Sequence, residues 1–489
     1  MSGFWWLLRA EWTKLRSVRR WTLGLLAAVP LTLALSLLTG GGSGTDLNDH
    51  PEELGPIGPA GVPVTDNRNF VHQPMAGDGR ITARVLTLTG EEGFSHEWAK
   101  TGIMLRESTE PGSRYAAMMV TPGHGVRLQA DYTTDLAGSD STGPRWLRLT
   151  RTGDTVTGYE SADGVSWNRV GAVDLGDLPP TVEVGLFAAS PGRLAVETSV
   201  GSSSTGSIPV RIIGTLDNVR VDSTQPQPTA QWQEDDTSKG FVQGPVGENG
   251  AANFTEADGV FTVAGSGDIG PYVPDDDVTQ LSLIGVNLGL VAMVAIGVLF
   301  ITSEYRRGMI RTTFAASPRR GRVLVAKATV LGVATFVVGL VASLLAFFVT
   351  QPILRSNGFG PPAYPVPSLA DGPVLRAVVG AALFLTLVAV LSLGVGAILR
   401  RSGGAITAVV AAFIPLLILV GGLPLTAAQW VMRTTPAAGL SVLQTIDVDH
   451  DATAEPWSMA PPLAGLGVLA AYTAAALAVA VWLVRRRDA

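Results

Sequence analysis

The stretch LSLIGVNLGLVAMVAIGVLFI (Leu281–Ile301) contains twenty-one residues without a formal charge. After Thr302 it is followed by SEYRRGMIRTTFAASPRRGR (Ser303–Arg322), which carries six arginines and one acid. An α-helix needs about 20 apolar residues to cross a hydrocarbon core about 30 Å thick. Arginines directly after such a helix mark the side of the membrane on which it ends. The two stretches together predict a membrane span followed by a basic loop.

Five further stretches have the length and composition of membrane spans, and none of the six contains an acid or a base. The predicted spans are residues 21–39, 281–301, 328–350, 377–399, 405–425 and 460–484. The first could instead be a signal peptide, but it is longer than the apolar region of about 7–15 residues in such peptides. No typical cleavage site follows it, so we interpret it as a retained anchor. The predicted fold class is a six-helix transmembrane bundle with an inserted all-β sandwich.

The distribution of charge predicts the orientation of the chain. Residues 1–20, 302–327, 400–404 and 485–489 contain seventeen Lys or Arg and only three acids. The positive-inside rule therefore puts both termini of this multi-pass chain in the cytoplasm and residues 40–279 outside it. The expected location is a bacterial plasma membrane. That excursion has a net charge of −18, against +12 for the rest of the chain. Nucleic acid is therefore not an expected partner.

The excursion between the first two spans has the pattern of a β-domain. Short runs of alternating apolar and polar residues, such as RITARVLTLT and RWLRLTRT, are separated by turn sequences that include Gly153-Asp154. Many short strands with Gly-rich turns predict a two-sheet sandwich of jelly-roll type. We predict a linker over residues 40–64, the jelly roll over residues 65–222, and a further β segment with a return linker over residues 223–279.

Two segments of this domain resemble the concanavalin-like (laminin-G-like) jelly rolls that are appended to bacterial glycosidases and surface proteins. They are WAKTGIMLRESTEPGSRYAAMMVTPGHG and RWLRLTRTGDTVTGYESADGVSWNRVG. The residues that carry the resemblance are Trp98, Lys100, Gly102, Met104, Arg106, Ser108, Trp146, Arg148, Arg151, Asp163, Gly164 and Trp167. The resemblance implies the fold and leaves open whether the domain binds an envelope glycan, a protein or a metal ion, or is purely structural.

The sequence lacks the usual catalytic patterns. It has no Cys, and none of its four lysines follows a glycine, which excludes the phosphate-binding loop G-x-x-x-x-G-K. The segment HEWAK (His96–Lys100) begins like the H-E-x-x-H zinc motif but ends in lysine. We therefore expect no enzyme activity, no cofactor and no metal site in this chain.

The N-terminal segment FWWLLRAEWTKLRSVRR (Phe4–Arg20) shows helical periodicity. Trp5, Leu8, Trp12 and Leu15 recur at intervals of three or four residues. Tryptophans on one side of a helix and bases on the other are typical of a helix that lies in the headgroup layer. We predict such an interfacial helix over residues 1–20, and the simpler alternative is an extension of the first span.

The basic loop at residues 302–327 has a second pattern besides its charge. Its arginines are interleaved with Met309, Ile310 and Phe314, which would give a short helix an apolar contact face, and Pro318 would end that helix. This pattern predicts a docking element. The simpler alternative is that the arginines only stop translocation and fix the topology.

Both basic segments, with the order of the six spans, resemble the permease subunits of exporter-type ATP-binding-cassette (ABC) transporters. The resemblance implies a connecting helix over residues 4–20 and a coupling helix over residues 304–322 that docks into a separate ATPase subunit, which would bind the ATP. It also implies a second permease copy, identical or different, and a re-entrant hairpin in the outer loop at residues 426–459. The matching coupling positions are Glu304, Arg306, Arg307, Gly308, Arg311, Thr312, Ser317, Pro318 and Arg319.

Two alternatives to transport remain at this stage. The chain could be a membrane-anchored sensor or adhesion protein that binds a glycan or a protein through the sandwich. It could also be a mechanotransmission subunit, in which an ATPase moves the sandwich and nothing crosses the bilayer. The cargo and the direction of transport do not follow from the residues.

Overall fold

The computed structural model describes most of the chain, which forms two compact units. One unit comprises Met1–Asn48, Val196–Gly206 and Pro274–Ala489, and the other comprises Asp49–Ala195 and Ser207–Val273. The described residues are 2–45, 55–90, 93, 95–199, 202–225, 231–240, 253–274, 276–316, 319–413, 419–420, 423–446 and 458–486.

The first unit is helical. Its described helices are α1 (Ser2–Ser17), α2 (Arg19–Gly42), α3 (Val278–Leu283), α4 (Val286–Arg306), α5 (Met309–Ala316), α6 (Arg320–Ser356), α7 (Gly372–Leu399), α8 (Ser402–Ala411), α9 (Leu425–Thr434) and α10 (Pro462–Arg486), with a 3-10 helix at Pro436–Leu443. Pro373 and Pro436 lie in the first turn of α7 and of the 3-10 helix, where a missing backbone N–H costs no helical hydrogen bond, whereas Pro30 and Pro352 lie inside α2 and α6.

Five helical segments among the described residues are long and apolar enough to cross a membrane. They are Arg19–Gly42, Val278–Arg306, Arg320–Ser356, Gly372–Leu399 and Pro462–Arg486. The chain is therefore a multi-pass membrane protein, and five of the six predicted spans are confirmed as candidate spans.

The remaining predicted span, residues 405–425, differs from the prediction in the part that is described. Helix α8 is a ten-residue helix that ends at Ala411, and residues 414–418 and 421–422 lie outside the described part of the chain. Pro415, Gly421, Gly422 and Pro424 in this stretch are residues that disfavour a continuous helix. The structure thus shows five candidate spans, and a sixth stays a prediction.

Helix α7 is the centre of the bundle, and α4, α6 and α10 pack around it. Close approach of backbones makes this possible: a Cβ added at Gly297 would overlap the carbonyl oxygen of Ala389. Small residues at helix contacts are the usual solution in membranes, because lipid supplies no hydrophobic force between helices. Val388, Leu385 and Phe384 of α7 are completely buried by this packing.

The second unit is an antiparallel β-sandwich of two seven-stranded sheets. Their strand orders are β10-β9-β8-β3-β14-β17-β16 and β15-β2-β11-β4-β5-β6-β7, and β1 pairs with β18 in a two-stranded sheet. Strands β12 and β13 pair with each other, and most of their residues belong to the first unit. The strands are β1 (Val64–Asp66), β2 (Asn69–Ala76), β3 (Gly79–Gly90), β4 (Lys100–Arg106), β5 (Tyr115–Thr121), β6 (Gly125–Ala130), β7 (Thr134–Ala137), β8 (Arg145–Thr152), β9 (Thr155–Ser161), β10 (Asn168–Asp174), β11 (Thr181–Ala189), β12 (Arg193–Ser199), β13 (Ser202–Ile208), β14 (Ile212–Ser223), β15 (Gln233–Asp236), β16 (Phe254–Ala257), β17 (Val260–Gly265) and β18 (Ile269–Pro271).

The predicted end of the sandwich at residue 222 does not match the strand pairing. Strand β15 pairs with β2, β17 pairs with β14, and β18 pairs with β1. In the segment predicted as separate, β15, β16 and β17 therefore belong to the two large sheets and β18 belongs to the two-stranded sheet with β1, so the domain continues to Pro271. A polar, proline-containing stretch after residue 222 resembles a domain boundary in sequence, although the chain returns to the same sheets after it.

The second of the two large sheets is covered on both faces. Every residue of β4 and β5 is buried. One face contributes to the core between the sheets, and the other forms a smaller core that includes Phe70, Tyr115 and Phe187. Buried on both faces, these two strands do not show the alternation of apolar and polar residues that half-buried strands show.

A buried ion cluster lies beside this smaller core. Arg106 donates to both carboxylate oxygens of Asp66, at 3.1 and 2.7 Å, and Arg68 lies 3.3 Å from the same carboxylate. The Tyr132 hydroxyl and the Gly112 backbone N–H also donate to it. Burial raises the pKa of Asp66, but the charges of Arg106 and Arg68 outweigh that effect and hold it below its ordinary value.

Other residues that carry the jelly-roll resemblance also make internal contacts. Lys100 donates to Asp268 at 2.6 Å. The guanidinium carbon of Arg148 lies 3.7 Å from the Trp167 ring centroid, and the Trp167 indole N–H donates to the Gly164 carbonyl oxygen. A Cβ at Gly164, where φ is 75°, would lie 2.7 Å from the Trp146 ring. These contacts give the named motif residues structural roles within the sandwich.

We predict that Asp66→Asn destabilises the sandwich by about 3–5 kcal/mol, because it leaves Arg106 buried without a counter-charge and leaves Arg68 with Asp235 alone. Since the pKa of Asp66 is lowered, its stabilising contribution is complete at neutral pH and is lost only as the pH falls below about 4. Limited proteolysis of the purified full-length chain in increasing urea measures the effect. Asp222→Asn, at an exposed pair with Arg80, is the control and should cost less than about 1 kcal/mol. Equal effects of both substitutions would contradict the prediction.

Candidate functional site at the basic end of the helical unit

A short helix, α5, connects two of the candidate spans at the basic end of the helical unit. It begins at Met309 and follows Gly308, which has a φ of 70°, a value that glycine adopts without strain. Ile310 is buried and Met309 is 41% exposed. The hydroxyl group of Thr312 donates to the Met309 carbonyl oxygen at 2.8 Å. The chain therefore turns sharply after α4 and presents one side of a short helix outward.

A buried ion cluster joins the two ends of this turn to the N-terminal helix. The Lys327 ammonium lies 2.6 Å from a carboxylate oxygen of Glu304 and 2.6 Å from one of Glu11. Lys14 lies 3.0 Å from Glu11 and 3.4 Å from Glu304. These four residues, which we call the Lys327 cluster, belong to α1, α4 and α6. Two ammonium groups and two carboxylates make the cluster neutral.

The Lys327 cluster is screened from water on its inner side. Lys327 is completely buried, and Glu11 and Glu304 are 2% and 6% exposed. The Phe300 ring centroid lies 5.0 Å from the Lys327 ammonium and adds a cation–π contact. A buried charge that loses its partner costs several kcal/mol, so each member of the cluster holds the others in position.

Lys14 is the member nearest to solvent, with 42% of its side chain exposed. Partial burial lowers the pKa of Lys14, but the carboxylates of Glu11 and Glu304 more than compensate, and the pKa is raised above its ordinary value. Lys14 therefore remains charged at neutral pH and completes the charge balance.

The four residues that were predicted to form the apolar side of α1 differ in their burial. Leu15 is buried and Leu8 packs against the core of the helical unit. Trp5 and Trp12 are 68% and 46% exposed. Glu11 falls between Leu8 and Leu15 on the same face of the helix. One face thus packs on the bundle and presents Glu11 to Lys327, while the tryptophans point away from it.

The structure separates the predicted coupling residues into groups. Glu304 is buried in the Lys327 cluster, whereas Arg306, Arg307, Gly308, Thr312 and Arg319 are exposed. Ser317 and Pro318 lie outside the described residues, and so does the side chain of Arg311. The named residues after Glu304 are exposed because α4 ends at Arg306 and the chain then leaves the bundle.

Sequence reasoning missed Glu11, Lys14 and Lys327 as members of a site. A signal was present, because Glu11 and Glu304 are the only acids in the two long basic segments, and Lys327 borders a predicted span. Isolated charges of opposite sign at the ends of apolar spans predict pairing. The sequence alone does not show with which of the nearby bases each acid forms an ion pair.

Comparisons with known proteins concern the fold of the β-sandwich. No family model matches the chain, and no curated protein matches it. A functionally unknown protein from Saccharomyces cerevisiae is 14% identical, with 33% of this chain and 77% of that chain covered and a TM-score of 0.21. SCP-B, an eqolisin-family peptidase solved with the tripeptide Ala-Ile-His, is 6% identical, with 43% and 100% covered and a TM-score of 0.24.

Scytalido-glutamic peptidase, solved with a transition-state analogue inhibitor, is 7% identical, with 42% of this chain and 100% of that chain covered and a TM-score of 0.24. Similarity at this level carries no argument about activity. The description of the domain as a sandwich of two antiparallel sheets depends on its own strand pairing.

We predict that Lys327→Met destabilises the helical unit by about 3–5 kcal/mol, because the buried carboxylates of Glu11 and Glu304 then have only the half-exposed Lys14 as a counter-charge. Replacing both acids as well, in the triple variant with Glu11→Gln and Glu304→Gln, should recover most of that loss. Thermal unfolding of the purified chain in detergent measures both effects. Lys14→Met, at the exposed edge, is the matched control and should cost less than about 1 kcal/mol. A triple variant less stable than Lys327→Met would contradict this account.

Proposed function

We propose that the chain is the permease subunit of an ABC transporter, an exporter, driven by a separate ATPase subunit that docks on residues 304–322. The observation that carries this proposal is the Lys327 cluster at the base of α5. A short helix that only reverses the chain needs no fixed connection to its neighbours. Here the residue that precedes the turn, Glu304, and the residue that follows it, Lys327, are joined at 2.6 Å.

The connection makes α5 suitable for transmitting movement. A force on α5 reaches α4 and α6 through the chain and through the Lys327 cluster, and it reaches α1 through Glu11. Such coupling through packed, discrete contacts is how helices shift as rigid bodies between two states. Glu304 would hold the helices in position and would perform no chemistry.

The exposed surface around α5 supports docking of a protein. Arg306, Arg307 and Arg319 are exposed, and Met309 is 41% exposed beside them. Arginine and methionine are enriched in protein interfaces, where an apolar contact is surrounded by charge. The positive-inside rule puts this basic end in the cytoplasm, where ATP is available to a partner.

In the proposed mechanism, ATP closes two ATPase subunits on each other, and each moves the α5 helix of its own permease copy. The bundle then tilts and alternates access to a path between two copies. Lipid surrounds the dimer, and the sandwich projects outside the cytoplasm. This chain contributes the path and the coupling, while binding and hydrolysis of ATP take place in the partner.

A mechanotransmission subunit is the second candidate. The observation that favours it is the size of the sandwich, which extends from Val64 to Pro271 between α2 and α3. The described residues contain five candidate spans by comparison. Both candidates use the same docking surface. They differ in whether ATP hydrolysis moves a solute across a sealed vesicle, which a transport assay measures directly.

We predict that Arg306→Glu with Arg307→Glu lowers retention of the ATPase subunit in mild-detergent purification at least about tenfold, since two repulsive charges replace two attractive ones at the interface. The chain should still insert in the membrane, because both residues are exposed. Arg355→Glu, an exposed arginine at the other end of α6, is the control and should leave retention unchanged. If only the Arg355→Glu control loses the ATPase subunit, or if both variants retain it, the docking surface is rejected.

We also predict that α5 and the sandwich lie on opposite sides of the membrane. The chain has no cysteine, so Met309→Cys and Val165→Cys each introduce a single label site. Met309 is 41% and Val165 is 81% exposed. In intact cells a membrane-impermeant maleimide should label Val165→Cys and should label Met309→Cys only after lysis. Labelling of both variants in intact cells would overturn the orientation and with it the proposed function.

A further inference from the structure

A small cavity lies at the C-terminal end of α4, where residues from the starts of α2 and α8 also line it. Its volume is about 200 Å³, which is below the range of about 300–1,000 Å³ that is typical of drug-sized ligands. Three arginines line it: Arg20 at the start of α2, and Arg306 and Arg307 at the end of α4. Ser303 and Ser402 add hydroxyl groups. The cavity therefore suits a small, strongly anionic group.

The three arginines are available for such a group. Within the described residues, no carboxylate pairs with Arg20, Arg306 or Arg307. The nearest acid in sequence, Glu304, points into the Lys327 cluster. The guanidinium carbon of Arg20 lies 4.9 Å from the Trp21 ring centroid, and this contact fixes the arginine against the cavity wall.

The ends of the surrounding helices add to the positive potential. Helix α2 begins at Arg19 and α8 begins at Ser402, and neither has a side-chain hydrogen bond at its N-cap. The first backbone N–H groups of both helices therefore lack a side-chain acceptor, and a helix N-terminus favours an anion. The C-terminus of α4 works against this effect, but Arg306 and Arg307 place two full charges there.

We propose that this cavity binds a phosphate group at the surface of the membrane. The guanidinium groups of Arg20, Arg306 and Arg307 hold the phosphate oxygens, and the hydroxyl groups of Ser303 and Ser402 donate to them. Arginine is suited to this role because its planar donor pairs match phosphate oxygens. The phosphate comes either from the headgroup of an anionic phospholipid or from free phosphate, and the two sources share the same recognition chemistry.

The position of the cavity favours the lipid source. It lies where α2 enters and α4 leaves the candidate membrane region, and exposed Leu299 on its wall continues the apolar surface of α4. An acyl chain would lie along that surface while the headgroup enters the cavity. The proposal does not depend on the proposed function, because it concerns this chain alone in a membrane or a detergent micelle.

The test measures binding to the purified full-length chain. In one arm, native mass spectrometry follows the binding of phosphatidylglycerol and of phosphatidylcholine from mixed micelles. In the other arm, equilibrium dialysis follows radioactive inorganic phosphate. The test variant combines Arg20→Gln, Arg306→Gln and Arg307→Gln. The control variant combines Arg9→Gln, Arg16→Gln and Arg485→Gln, which removes three exposed arginines outside the cavity.

We expect the wild type to bind at least one phosphatidylglycerol more tightly than phosphatidylcholine. Each arginine near a lipid phosphate contributes roughly fivefold in affinity, so the test variant should bind at least about tenfold and up to about a hundredfold more weakly. The control variant should bind like the wild type. If the wild type binds inorganic phosphate and the test variant does not, that result supports the site and identifies free phosphate as its source.

A variant with lysine at the same three positions guards against misfolding, since it keeps the charge and removes the planar donors. It should retain the fold and bind with intermediate affinity. Unchanged binding in the test variant, or equal losses in the test and control variants, would overturn the proposal, because the cavity would then contribute nothing beyond the general charge of the surface.

Discussion

The ammonium of Lys327, held between the carboxylates of Glu11 and Glu304 at 2.6 Å each, determines how the basic end of the helical unit is arranged. The three residues come from α6, α1 and α4, and Lys14 of α1 is a second, half-exposed cation beside the two carboxylates. A membrane offers only a weak force that positions one apolar helix against another. A charge that must be paired gives each helix one allowed depth and rotation, so the cluster fixes what apolar packing alone leaves variable.

The location of the cluster follows from the cost of charges in lipid. An ionised side chain at the centre of a span costs about 2.5–3.5 kcal/mol on insertion scales, and none of the five candidate spans has one at its centre. The cost of an ionised side chain is lower at the ends of the spans. Neighbouring helices nevertheless bury Lys327 there and exclude water from it. The β-sandwich uses the same arrangement with opposite signs, since Asp66 lies between Arg106 and Arg68. In both units, the buried ions specify which elements meet.

The sequence predicted features that depend on local pattern and missed those that depend on distant contacts. The five confirmed spans follow from length and hydropathy, and the strands of the sandwich follow from alternation and turns. By contrast, Glu11 and Lys327 are 316 residues apart, and no local pattern pairs them. The sequence predicts a separate segment after residue 222 for the same reason, because β15 and β18 find their partners, β2 and β1, early in the chain. The predicted span at residues 405–425 rested on hydropathy alone, although its glycines and prolines oppose a single helix.

The last turn of α4 combines these effects in a few residues. Glu304 points inward to Lys327, whereas Arg306 and Arg307, two and three residues later, line the cavity. Arg306 lies about 200° around the helix from Glu304, and Arg307 follows the end of α4, where the backbone is no longer helical. Gly308 and α5 follow immediately, so the short helix starts from a segment that is fixed on one side by an ion pair. If a phosphate occupies the cavity, it fixes the other side as well. On the proposed function, a movement of α5 would then displace α4 as a whole, because the end of α4 would be held on both sides.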